Sequence, residues 1–567
     1  MVASLLLLTT LLAAEPKAAE TSPLVPGTTE EHVMIPMRDG VRLSAYLYKP
    51  EPGGLDPSGK PHGNGPWPVL YVQRYADITG AATRKQSSWF ASRGYVVCAQ
   101  SFRGAQKSEG TFDGYRALGW GKLQDGYDTV EWLAKQPWST GKIGTFGGSQ
   151  AGYAQNFLAV TRPPHLVAQY MIDTGLSLFH EGYRIGGTVR PARLIKGMGN
   201  TSREPGGGER WMQRMLEHPV YDAYWADEDC TKRFADMDVP CFTVGSWYDF
   251  MCTGSVQSYV GRQHSGGPNS RGKQQLIIGP WLHGSNNKSG VKVAELTYPE
   301  NAAFAMDEHM VRWFDHYLKG VDNGVERESP VRYYVMGALG EQDAPGNVWR
   351  AAKDFPPTAT DTSYYLHADG KLTTDAPTLS ESHTAYKSDP AKPATIPGVG
   401  FPGAKDASAF EAHPDVRTFS TAVLTEPVEW TGLVKAELYV SSTAPDADFI
   451  CRVTDVYPDG RSILLIDQVR RGRYREGFEK EVPLPAGKPV KVEIDIGWLS
   501  QVFNRGHRIR VTIASHGADF YEINPQTGGT FTIEPSKETR VSQNVIYHEV
   551  DRASRIVAPV IREIASE

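Results

Sequence analysis

At 567 residues the chain is too long for a single hydrophobic core, so two or three domains are expected. Its 40% hydrophobic and 22% charged residues are ordinary for a globular protein. A formal net charge of −6 gives no footing for a nucleic-acid partner. Five scattered cysteines (Cys98, Cys230, Cys241, Cys252, Cys451) exclude a dense disulfide framework, leave one or two bridges open, and show no spacing for a metal.

Val2 to Ala14 is apolar but too short to span a bilayer. With the small residues after it, this run resembles a signal-peptide core, although no positively charged n-region precedes it. Residues 1–19 are therefore expected to be a signal peptide. The mature protein is expected to be exported, periplasmic or secreted, and soluble, because no later stretch suits a membrane span.

His32 to Met37 and Val41 to Tyr48 alternate like strands around the turn Arg38-Asp39-Gly40, a hairpin signal. Val69 to Gln73 and Tyr95 to Gln100 read as buried strands, with helix expected at Ser87 to Ser92 and Leu118 to Leu133. Strands alternating with helices predict a mostly parallel sheet covered on both faces. His165 to Tyr170 continues the rhythm. Phe179 to Ala223 breaks it, with short amphipathic pieces and Gly-rich joints that suggest an inserted helical cap. Strands return at Pro240 to Gly245 and Gln275 to Gly279, and a helix at Met306 to Leu318 closes the unit. From about residue 330 alternating strands dominate, as in an all-β sandwich or jelly roll.

One stretch carries a chemical signature. Strand-like Ile143 to Phe146 runs into Gly147-Gly148-Ser149-Gln150-Ala151 and then a helix-forming run, the pattern of a G-x-S-x-G nucleophile elbow with alanine for the second glycine. An elbow serine needs a base, and the base needs an orienting carboxylate. Asp249 and His283 arrive in the required chain order, each just past a predicted strand end. The oxyanion hole is expected from the Gln150 N–H and from the Tyr75 hydroxyl, on the loop after an early strand.

These residues resemble the cocaine esterase / X-Pro dipeptidyl-peptidase family of α/β-hydrolases, which also holds α-amino-acid ester hydrolases and cephalosporin acylases. The resemblance runs from Ile35–Gly40 through Arg103-Gly104, Ser108-Glu109-Gly110, the elbow, Trp247-Tyr248-Asp249 and Gly279-Pro280-Trp281-Leu282-His283. It continues in the β half through Asp455–Gly460, Arg471–Arg475 and Asn524–Gly528. It implies an α/β-hydrolase fold with a helical cap and a C-terminal jelly roll. The catalytic domain would occupy 28–167 and 239–330, the cap 168–238 and the jelly roll 331–567. It also implies Ser149 as nucleophile, His283 as base, Asp249 as orienting acid, and Tyr75 with the Gln150 N–H as oxyanion hole. Trp247, Trp281, Asp173 and Phe179 are candidate pocket residues, and the cap and jelly-roll face are expected to shape the acyl pocket.

Two positions depart from the family pattern: Gln150 stands where tyrosine is frequent, and Ser101 where aspartate is frequent. Near Phe179-His180 the one acid upstream is Asp173, a weak basis for binding a free amine. The expected activity is serine hydrolysis of a small-molecule ester, amide or short peptide, with no metal and no organic cofactor. The rivals are an X-Pro dipeptidyl-peptidase or amino-ester hydrolase that requires a free amine, and a jelly-roll-led binding protein with an inactive hydrolase domain. Large β faces leave room for a homo-oligomer.

Overall fold

The hairpin signal at Arg38-Asp39-Gly40 forms an antiparallel pair, β1 (Thr28–Pro36) with β2 (Arg42–Pro50), in the computed structural model. That model describes residues 23–190, 200–284, 291–342, 344–396, 403–529 and 536–562. The apolar run at 2–14 lies outside the described residues.

Next come β3 (Trp67–Arg74), α1 (Ala81–Ala91), β4 (Val96–Ser101), α2 (Asp125–Ala134), β5 (Ser139–Gly148), α3 (Gln150–Val160) and β6 (Leu166–Ile172). Helix α2 starts later than the apolar period from Leu118 suggests. Gly121 at φ 110° lies in the segment read as its first turns, in a conformation no helix accepts. After the cap, whose longest described helix is α4 (Gly207–Leu216), come β7 (Cys241–Ser246), α5 (Cys252–Ser265), β8 (Gln275–Gly279) and α6 (Met306–Lys319). Two further strands, β9 (Val331–Val335) and β10 (Val348–Ala352), complete a ten-stranded sheet of order β1-β2-β4-β3-β5-β6-β7-β8-β9-β10. Strands β3 to β9 are parallel where they pair.

Both faces of this sheet are covered, which explains its near-continuous apolar strands. Val130, Leu133 and Leu158 from α2 and α3 pack on Val69 and Ile143. Phe90 and Phe314 from α1 and α6 pack on Leu70 and Phe146 on the other side. Each such fully buried side chain contributes about 1.5–3 kcal/mol relative to exposure.

The catalytic sheet does not end at residue 330. Val331 pairs with Leu276 in parallel register, and Met336 N–H donates to Ser500 O in the β half at 2.9 Å. The β half consists of an eight-stranded and a four-stranded sheet, the jelly-roll layout. All five cysteines are buried free thiols.

The motifs in the β half turn out to dock the domains. Arg471 donates to Asp448 at 2.8 Å and to Glu522 at 2.6 Å, while Arg473 donates to Asp446. Glu522 in turn accepts from the Val189 N–H of the cap, and Tyr474 OH donates to Pro219 O. Gly186, at φ 59°, lies so close that a Cβ would stand 1.8 Å from Val469 O. Only glycine fits there.

His507, fully buried, lies between two carboxylates: Nδ1 is 2.7 Å from Asp455 and Nε2 is 2.8 Å from Glu341, on the β9–β10 connection. A neutral imidazole has one N–H, so two carboxylate partners call for the imidazolium. Burial opposes that charge, but Asp455 and Glu341 outweigh it and hold the pKa above the usual histidine value. A raised histidine stabilises fully below its unfolded pKa, and the effect fades as pH rises through the raised one. His507→Gln should therefore cost about 3 kcal/mol in acid. The gap in unfolding midpoint from wild type should narrow steadily above pH 7; a pH-independent gap would rule out the charged clamp.

Candidate active site

Three loops at the carboxyl ends of β5, β7 and β8 build the site. Ser149 ends β5 and caps α3, with φ 55° and ψ −116°, a strained conformation for a non-glycine residue. Its hydroxyl does not turn back to cap the helix. The sharp turn demands small neighbours. At Gly147, φ 124°, a Cβ would lie 2.8 Å from the Ala151 methyl, so alanine is tolerated at the second position because the first is glycine.

His283 Nδ1 lies 2.9 Å from Asp249 Oδ2. Asp249 is buried, and the Phe250 ring stacks on the imidazole with centroids 5.7 Å apart. A carboxylate partner on Nδ1 fixes the tautomer and leaves Nε2 as the basic nitrogen.

Tyr75 lies on the loop after β3, its ring edge-on to Phe102 at 5.8 Å and to Tyr115 at 6.3 Å. Gln106 braces that loop by donating to Ala76 O at 2.5 Å and Tyr75 O at 3.3 Å. The Gln150 side chain is turned to the same loop and accepts the Ala76 N–H at 2.8 Å. That amide is therefore taken, while the Gln150 N–H remains at the N-terminus of α3.

Asp173, just past β6, is 1% exposed and has a positive φ of 45°. Its carboxyl accepts from Ser246 Oγ at 2.8 Å and from the Gly284 N–H at 2.9 Å. Its backbone carbonyl accepts the Ser149 N–H at 3.1 Å. Asp173, Asp249 and His283 have ligand-type atoms within 4.8 Å of one another, the one such group among the described residues. Both Asp173 oxygens already have donors, and His283 Nδ1 has its carboxylate.

A cavity of about 740 Å³ lies where the cap, α5 and the β half meet. Trp247, Asp249 and Phe250 wall it on one side, Ile466, Asp467 and Tyr521 on the other; Ser149 and Tyr75 are not in its wall. Of the candidate pocket residues, Trp247 lines it. Trp281 is fully buried and donates to Ala302 O at 2.8 Å, and Phe179 is buried edge-on against Tyr221, Trp225 and Phe478. Asp173 does not line the cavity and sits beside the Asp249–His283 pair. The sequence reading missed Phe250, Gln106 and the joining position of Asp173, although Asp173 meets the same strand-end criterion that singles out Asp249.

Comparison with known proteins identifies the family. Residues 39–207 and 198–285 match the model of the X-Pro dipeptidyl-peptidase (S15 family), and 323–557 match the X-Pro dipeptidyl-peptidase C-terminal non-catalytic domain. The cocaine esterase of Rhodococcus sp. (strain MB1 Bresler) is 30% identical over an alignment 600 positions long, covering 94% of this chain and 98% of that one. Two solved structures share the fold over nearly the whole chain. An aminopeptidase from a marine sediment Thaumarchaeota archaeon has a TM-score of 0.80 at 24% identity, covering 98% of this chain and 99% of that one. An α-amino acid ester hydrolase has a TM-score of 0.81 at 23% identity, covering 99% and 100%. By these matches the chain belongs to the cocaine esterase / X-Pro dipeptidyl-peptidase family of α/β-hydrolases, and is a serine hydrolase.

Proposed function

We propose that the protein hydrolyses carboxylic esters or activated amides through an acyl-enzyme on Ser149. The Asp249–His283 bond of 2.9 Å beside the strained Ser149 elbow carries this reading. His283 Nε2 takes the Ser149 proton as Oγ attacks the carbonyl, a contact that free sites often tighten only with substrate present. The imidazolium formed is stabilised by Asp249 and protonates the leaving group. Water, deprotonated by the same nitrogen, then releases the acid. The oxyanion is held by the Gln150 N–H and by the Tyr75 hydroxyl, which stands in for the Ala76 amide that Gln150 occupies.

A free-amine substrate, as for an X-Pro dipeptidyl-peptidase, is the second reading. Glu181 and Asp467 in the cavity wall favour it. Each is a poor ammonium site. Burial pushes Glu181 up to about 8, leaving it mostly uncharged at neutral pH. Asp467 is buried 3.9 Å from Arg452, and desolvation raises its pKa despite that cation and Arg190. The name of the 30% identical relative, an esterase, points the same way.

A panel of p-nitrophenyl acyl esters, aminoacyl esters, a β-lactam acyl amide and Ala-Pro-anilide separates the readings. Turnover of plain acyl esters, with little on the free-amine substrates, is the expected result. A preference for Ala-Pro-anilide that vanishes on N-acetylation would make the peptidase reading the correct one.

A further inference from the structure

Asp173 is bonded to all three loops that carry the proposed triad. Its carbonyl accepts from the Ser149 N–H, one carboxyl oxygen from Ser246, three residues before Asp249, and the other from the Gly284 N–H, next to His283. Holding a non-glycine residue at φ 45° costs free energy. The surrounding bonds fix that conformation. They also bring a second carboxyl beside the Asp249–His283 pair. Asp249 Oδ1 is buried with no hydrogen-bond partner among the described residues.

We propose that Asp173 is a second, tunable carboxylate of the site: a positioning residue that clamps the loops of Asp249 and His283 and sets the charge around the imidazole. The proposal rests on the triad reading and deepens it. Desolvation first, and then the charge of Asp249, raise the Asp173 pKa to about 7, against the opposing effects of His283, Gly284 and Ser246. Among the described residues the buried Cys252 thiol on α5 also feels this charge, and burial, Asp249 and Asp173 raise it well above its usual value. As pH rises through that raised value, the site passes from one carboxylate next to His283 to two. An added negative charge favours the imidazolium that forms as Ser149 attacks, so hydrolysis gains from ionisation of Asp173 on the alkaline side.

Asp173→Asn keeps the shape: its carbonyl can accept the Gly284 N–H, and its amide can donate to the Ser246 hydroxyl. It removes only the ionisation. The measurement is kcat/KM on a p-nitrophenyl ester from pH 5.5 to 8.5 for wild type and Asp173→Asn, with Ser149→Ala as the zero. We expect the loss in Asp173→Asn to be about tenfold larger at pH 8.5 than at pH 5.5. The wild-type acidic limb should contain two ionisations, with a slope above one, and the variant a single one. Equal loss at both pH values, or no loss, would reduce Asp173 to packing and overturn the proposal. Should the variant fail to fold, a wild-type limb of unit slope overturns it as well. Ser149→Ala that remains active would instead bring down the triad reading beneath it.

Discussion

Ser149→Ala is expected to lower kcat on a small aryl ester by about 10⁴–10⁶-fold with little change in KM, since the hydroxyl forms the bond that breaks the substrate. The size of the loss follows from the elbow. Ser149 is held at φ 55° with its N–H bonded to Ile172 O at 3.0 Å and Asp173 O at 3.1 Å, and its side chain does not cap α3. Nothing in the backbone depends on that hydroxyl, so alanine removes the chemistry and leaves the turn. Circular dichroism and the unfolding midpoint should match wild type. Residual turnover within tenfold of wild type would mean that another residue is the nucleophile.

Tyr75→Phe is expected to reduce kcat by about 10²–10³-fold, again with KM nearly constant, because an oxyanion donor acts mainly in the transition state. The ring of Tyr75 packs edge-on against Phe102 and Tyr115, contacts that phenylalanine keeps. The hydroxyl therefore matters for chemistry more than for folding. Its share is expected to be large because the Ala76 amide on the same loop is already bonded to Gln150 Oε1 at 2.8 Å. A decrease below threefold would mean that a backbone donor does the work. Steady-state kinetics on one p-nitrophenyl ester decides between these outcomes.

The elbow, Asp249 and His283 were legible in the sequence because each obeys a local rule. Apolar strand residues end at a turn, and the polar candidate comes just after. The same rule applied to Met171-Ile172-Asp173 marks Asp173, but its bonds to Ser246 and Gly284 span 73 and 111 positions. No local pattern reports bonds of that range. His507 was hidden for the same reason, as its partners Asp455 and Glu341 lie 52 and 166 residues away. Strands β9 and β10 were read with the β half because alternation cannot tell which sheet a strand joins. Only the pairing of Val331 with Leu276 assigns them. The β-half motifs Arg471–Arg475 and Asn524–Gly528 could be recognised as a signature. Their work, an ion-pair network that seats the cap against the jelly roll, became visible only with Asp446, Asp448 and Glu522 around them.

The most direct measurement is covalent capture of the nucleophile. Wild type and Ser149→Ala are each incubated with a fluorophosphonate, and the adducts are read by intact mass and peptide mapping. Wild type should gain one probe equivalent, on the peptide containing Ser149, with loss of esterase activity in proportion, while Ser149→Ala should gain none. Labelling of a different serine, or equal labelling of both proteins, would contradict the assignment of Ser149 as the nucleophile.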